Sequence, residues 1–238
     1  MSGIPSRTET IGMPDEGAMD AHVAIPAAGS GPGVLVLMEI FGVGAYIRGA
    51  CDRLAEQGYV SMAPDLYRRI RPGARFGPGE EGLREAGAAV AELDMDGAIE
   101  DASVALEALR GLPEVNGRTG ALGFCLGGSL AFGVAVNADP GTLVAYYGSH
   151  IPEMLGDADR ISCPALFHFG AEDPYIPLPQ AERVAQLAAT RPDWEVHIQV
   201  GGGHAFDNWE NPMFHQPEPA ARAWELTREF LARTLPVQ

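Results

Sequence analysis

Thr119-Gly120-Ala121-Leu122-Gly123-Phe124-Cys125-Leu126-Gly127-Gly128-Ser129 decides how the rest of the chain is read. It opens as a short apolar run, the pattern of a buried strand. It then turns on glycines and enters Leu130-Ala131-Phe132-Gly133-Val134-Ala135-Val136, which suits a buried helix. Strand, sharp turn and helix are the setting of a nucleophile elbow, where a strained turn lifts the reactive atom clear of the sheet. The usual G-x-S-x-G stands here as Gly123-Phe124-Cys125-Leu126-Gly127, with a thiol in place of the hydroxyl. The glycines let strand and helix pack closely. Taken alone, the pentapeptide fits either an exposed nucleophile or a small structural cysteine in the core.

Outward from the elbow, strand patterns alternate with helix patterns. Strands are expected over 19–25, 34–38, 58–63, 143–148, 164–169 and 194–200, and helices over 46–57, 81–91, 94–109, 181–189 and 217–234. Gly29 to Gly33 reads as a turn, Pro64 as a strand break and residues 65–80 as a loop. This order implies an α/β fold with a mostly parallel central sheet and helices on both faces. No repeat, linker or low-complexity tract divides the chain, so residues 1–238 read as one domain.

Bulk properties remove several function classes. Formal net charge is -16, and all 16 basic side chains are arginine. Such acidity disfavours nucleic acid or an anionic membrane as a partner. The three cysteines, Cys51, Cys125 and Cys163, are odd in number and form no C-x-x-C, which argues against a disulfide framework or a zinc ribbon. Without an H-E-x-x-H or a nucleotide-binding glycine motif, no metal and no cofactor are expected. Met1 to Arg7 lacks the apolar stretch of a signal peptide, and no apolar run reaches membrane-span length. A cytoplasmic, reducing setting is the expectation, with a small molecule as partner and a monomer or small homo-oligomer as the assembly.

Two further strand ends carry groups that complement a thiol. Asp173 follows the strand over 164–169, and His204 follows the strand over 194–200. The order nucleophile, acid, histidine is that of the α/β-hydrolases. Imidazole can take the thiol proton near neutral pH, and a carboxylate fixes the imidazole tautomer. Each residue taken alone has a bland account, Asp173 as a helix cap and His204 as a loop histidine, but their order and placement favour a triad. His168 and His197 lie inside strand patterns and read as packed or surface residues rather than site residues. Glu39 stands at the end of a buried strand, where open α/β sheets bind ligands. In an apolar pocket its pKa would rise and it could accept a proton; the alternative is a capping or salt-bridged carboxylate.

With these residues in place, the sequence resembles the dienelactone hydrolase (carboxymethylenebutenolidase) family of the α/β-hydrolase superfamily. The matching stretches are Met38 to Val43, Ala63 to Tyr67, Gly123 to Gly128, Tyr146 to Gly148, Gly170 to Asp173 and Gly203 to Phe206. The resemblance implies a Cys125-His204-Asp173 triad, with Glu39 helping to form the thiolate as substrate arrives. It implies an oxyanion hole from the backbone amides of Leu126 and Ile40, and substrate contacts from Arg84, Phe41 and Tyr146. It also implies a reaction: opening of a lactone or enol-lactone, or cleavage of a small ester, through an acyl-enzyme thioester. A promiscuous carboxylesterase or thioesterase of the same fold is the alternative, with a non-catalytic ligand-binding α/β-hydrolase behind it. Two departures stand out. The second substrate-binding arginine of the family is absent, and Asn208 stands at its position. The aromatic residues expected after Arg84 are replaced by Ala88 and Ala91. Losing a charged carboxylate partner costs about 1.5–3 kcal/mol.

Overall fold

The computed structural model describes residues 3–237; Met1 and Ser2, where the segment read as lacking a signal peptide begins, and Gln238 lie outside the described residues. The continuous apolar runs form the centre of an eight-stranded sheet. β3 (Gly31–Leu37), β4 (Val60–Pro64), β6 (Leu143–Tyr146) and β7 (Ala165–Gly170) are buried at every position, as parallel strands covered on both faces must be. β5 (Val115–Phe124) runs through the middle and β8 (Trp194–Gln199) closes one edge. At the other edge, β1 (Ser6–Gly12) and β2 (Ala18–Ala24) alternate between exposed and covered positions and pair antiparallel. The strand order is β1-β2-β4-β3-β5-β6-β7-β8, with β2 antiparallel to β4 and every later pairing parallel.

The helices follow the parallel strands as crossovers. They are α1 (Ala45–Glu56), α2 (Gly79–Val90), α3 (Met95–Arg110), α4 (Leu126–Ala138), the single turn α5 (Ile151–Met154), α6 (Leu178–Ala188) and α7 (Pro217–Thr234). α3 and α4 pack on one another over β3 and β5. α1 and α7 meet where the Arg53 guanidinium lies 4.5 Å from the Trp224 ring centroid. α4 is buried around its whole first two turns, which explains a sequence with no polar face. Among the described residues, no helix is long and apolar enough to cross a membrane.

Some boundaries differ from the sequence pattern. β3 begins at Gly31, inside the stretch read as a turn, because a side chain there would meet the Gly58 carbonyl at 2.0 Å. Pro64 ends β4 rather than breaking it, paired with Ala21 on the neighbouring antiparallel strand. β1 and the short helical turns over 151–160 had no periodicity long enough to read.

Candidate active site

Cys125 sits between the end of β5 and the first residue of α4 with φ 52° and ψ -115°, a left-handed backbone that a cysteine adopts only under strain. Such a conformation costs on the order of 1–3 kcal/mol and persists when its surroundings impose it. Two glycines impose it here. A side chain at Gly123 would meet the Gly127 carbonyl at 1.9 Å, and one at Gly127 would meet the Leu37 carbonyl at 2.1 Å. The Cys125 amide donates to the Tyr146 carbonyl at 3.0 Å, pinning the turn to β6. Cys125 is partly exposed, whereas Cys51 and Cys163 are buried, and burial pushes both of their thiols up to about 12.

The strand ends bring the distant partners to this thiol. His204 Nε2 lies 3.0 Å from Cys125 Sγ, and His204 Nδ1 lies 2.8 Å from Asp173 Oδ2. Asp173 is anchored in turn: its Oδ1 accepts from the amides of Tyr175 at 2.8 Å and Ile176 at 3.1 Å. Burial works to lower the His204 imidazole, but the Cys125 sulfur and the Asp173 carboxylate outweigh it and hold the ring well above its ordinary pKa. The loop carrying His204 is braced by Gln216, whose Oε1 accepts from the Gly203 amide at 2.6 Å.

A cavity of about 370 Å³ opens above Cys125 and His204, lined also by Glu39, Ile40, Phe41, Leu83, Gly87, Ser149, Tyr175, Ala205 and Phe214. Glu39 is 2 % exposed and forms no ion pair among the described residues. Its Oε1 accepts from Asn208 Nδ2 at 2.7 Å, while Oε2 is buried without a partner among the described residues. Burial pushes the Glu39 carboxyl up to about 8, against the opposing Asn208 hydrogen bond. The Ile40 carbonyl accepts from Tyr67 Oη at 2.7 Å, which fixes the loop after β3.

The structure therefore brings Cys125, His204, Asp173, Glu39, Ile40 and Phe41 together, with Leu126 opening α4 beside them. It does not bring in two residues expected at the substrate. Tyr146 is fully buried beneath the site, with its hydroxyl 2.7 Å from Thr227 Oγ1 and its ring against Phe124 and His168. Its neighbour Tyr147, equally buried, approaches His204 at 5.4 Å between ring centroids, and the Tyr175 ring comes closer, at 4.9 Å. Arg84 is exposed on α2 and does not line the cavity. Leu83 and Gly87, four residues apart, face the cavity, and Arg84 falls beside that stripe. His168 is a core residue, as its strand position suggested, and burial lowers its imidazole to about 3.

Several participants escaped the sequence pattern. Tyr175 and Phe214 line the cavity, and Tyr67 holds Ile40. Residues 207–210 are tied to α1. Asp207 accepts from Tyr46 Oη and Arg53 Nη2, each at 2.7 Å, and Glu210 Oε2 accepts from the Tyr46 amide at 2.9 Å, near the start of α1. Tyr175 alone had a signal, its place two residues after Asp173.

The geometry agrees with what the chain resembles. The model of the dienelactone hydrolase family matches residues 19–235. A carboxymethylenebutenolidase of Pseudomonas putida is 34% identical over 213 residues, 89% of this chain and 90% of that one. A putative carboxymethylenebutenolidase of Azospirillum brasilense is 32% identical over 227 residues, 93% of this chain and 96% of that one. Among solved structures, a putative dienelactone hydrolase of Klebsiella pneumoniae superposes with a TM-score of 0.80 at 25% identity, covering 97% of this chain and 99% of that one.

Proposed function

The chain belongs to the dienelactone hydrolase family and is a hydrolase of the lactone and ester type; on that premise we propose that Cys125, His204 and Asp173 act as its catalytic triad, with an acyl-enzyme thioester as intermediate. The observation that carries the reading is the unbroken line from Asp173 Oδ2 through His204 to Cys125 Sγ, at 2.8 Å and 3.0 Å.

His204 Nε2 takes the Cys125 proton, and Sγ attacks the substrate carbonyl carbon. The carbonyl π electrons move onto oxygen. The oxyanion is held by the amides of Leu126 and Ile40. Leu126 is the first residue of α4, where the amides have no acceptor within the helix and point outward. Ile40 is held by its own carbonyl bond to Tyr67. The tetrahedral adduct then collapses. The C–O bond to the leaving alkoxide breaks, the alkoxide takes the proton from His204, and the acyl group stays on sulfur. In a lactone the alcohol remains tethered to the acyl group. Water then attacks the thioester with His204 as base, and the thiolate leaves. Asp173 holds the imidazole tautomer and stabilises the imidazolium through each transfer. Phe41, with Ile40, Leu83 and Phe214, takes the apolar part of the substrate. Glu39 adds a proton-exchanging group to the same cavity and adjusts the thiol as substrate enters.

Cys125→Ala lowers ester turnover by roughly three orders of magnitude or more, because no other group supplies the nucleophile. Steady-state hydrolysis of 4-nitrophenyl butyrate measures this, and a variant as active as the parent would end the proposal.

A further inference from the structure

We propose that the cavity is built for esters and lactones whose acyl part is uncharged, and that Asn208 is the positioning residue that sets this preference. The proposal rests on the thiol mechanism above and adds the substrate class.

The argument begins with what Asn208 can and cannot offer. Its Oδ1 accepts from the amides of Glu210 at 3.0 Å and Asn211 at 3.1 Å. Two N–H donors on one atom identify that atom as the oxygen, so Nδ2 is the end that faces Glu39, which it meets at 2.7 Å. Oxygen and amide group are thus both engaged, and the residue is 2 % exposed. Asn208 does not itself line the cavity, so it offers a substrate no contact there. It satisfies one oxygen of a buried carboxyl without bringing a charge to the site.

The rest of the cavity wall agrees. Its ionisable members are Glu39, Cys125, Tyr175 and His204, and it contains no arginine. Arg84 lies outside it, on the exposed face of α2. The remaining wall is Ile40, Phe41, Leu83, Phe214, Ala205, Gly87 and Ser149, mostly apolar. Tyr175, part of the wall itself, is 57% exposed. Among the described residues of the wall, a substrate carboxylate would meet no cation apart from the His204 ring, whose two nitrogens are already engaged by Asp173 and Cys125. The carboxylate would oppose any ionisation of Glu39, which already feels Glu210 and Asp207, and would approach a protein of net charge -16. A buried anion without a partner is strongly disfavoured. A neutral acyl chain pays none of these penalties.

The test compares two esters with one leaving group and acyl chains of equal length, 4-nitrophenyl butyrate and mono-4-nitrophenyl succinate. The expected result is a kcat/KM at least about tenfold higher for the butyrate, with the difference carried by KM. Added salt should narrow the gap only in part, since it screens the surface charge but not the cavity. Asn208→Arg should raise kcat/KM for the succinate ester about tenfold or more relative to the butyrate, a change in charge selectivity that loosened packing would not produce. Equal or faster turnover of the succinate ester by the parent protein overturns the proposal, whether or not the variant folds. Hydrolysis of neither ester would remove the hydrolase mechanism itself and this proposal with it. Hydrolysis of both in the wrong order removes only the neutral-acyl proposal.

Discussion

The site has two halves, and they handle a buried carboxylate in opposite ways. At Asp173 every oxygen is engaged: two backbone amides hold one, and the His204 ring holds the other. At Glu39 one oxygen is held by Asn208 and the other has no partner among the described residues. A fully paired carboxylate is fixed in place and orients its neighbour. A half-paired one in an apolar wall keeps its proton to about pH 8. One half is rigid electrostatics, and the other is a group poised to change state near physiological pH.

The largest effect should come from breaking the paired half. Asp173→Asn keeps the shape but places an amide donor against the imidazole N–H, which drives the wrong tautomer. The expected loss in kcat/KM is on the order of 10³- to 10⁴-fold, measured with 4-nitrophenyl butyrate, and a loss under tenfold would make the two halves equivalent.

Breaking the half-paired side should cost less and change the pH response. Glu39→Gln should remove an inflection near pH 8 from the kcat/KM profile and lower activity by roughly 100-fold above it, the low end of general acid–base contributions. An unchanged profile would separate Glu39 from the chemistry.

The same substitution sharpens the contrast in stability. The Glu39 carboxyl is raised in the folded protein, so between the unfolded value near 4.5 and about 8 the unfolded chain has lost a proton that the folded one retains. Folding stability from this group is therefore full below about 4.5 and declines as pH rises toward 8. Glu39→Gln lacks that decline. Its melting temperature relative to the parent should climb between pH 5 and pH 8 by on the order of ten degrees, at about 1.4 kcal/mol per pH unit and about 2–4 °C per kcal/mol for a chain of this size. A constant difference across that range would contradict a protonated Glu39.

The smallest effect tests the brace behind the half-paired side. Tyr46→Phe removes the hydroxyl that donates to Asp207, leaving Arg53 as its remaining side-chain partner. We expect a stability loss of about 1–2 kcal/mol by denaturant melting, with ester turnover nearly unchanged. A large activity loss would mean that the brace sets the position of Asn208 and Glu39.

Much of this was legible in the amino-acid order. Strands 34–38 and 164–169 announced themselves because parallel strands covered on both faces need unbroken apolar runs. Cys125, Asp173 and His204 each follow a strand, so sheet topology alone carries them to one end. Glu39 was legible for the same reason. What the order could not show is which face a strand-end residue takes. Tyr146 and Tyr147 are adjacent and both fully buried, and backbone geometry turns the first toward Thr227 and the second toward His204. Arg84 was misplaced because a helix stripe is set by packing, and here Leu83 and Gly87 take the cavity face. Asn208 was visible as a missing arginine, but its bond to Glu39 spans 169 residues, and no local pattern encodes it.

That long reach bears on how the protein is made. A chain synthesised from its N-terminus presents Cys125 first, while the histidine that the proposed triad assigns as its base lies 79 residues downstream. At ribosomal speeds of about 5–20 residues per second, the interval is roughly 4–16 s. During it the thiol has no base, and the carboxyl of Glu39 still lacks the amide that will hold it. The nascent enzyme is thus chemically silent until the last quarter of the chain has emerged and β8 has docked, so activity appears only with the completed sheet.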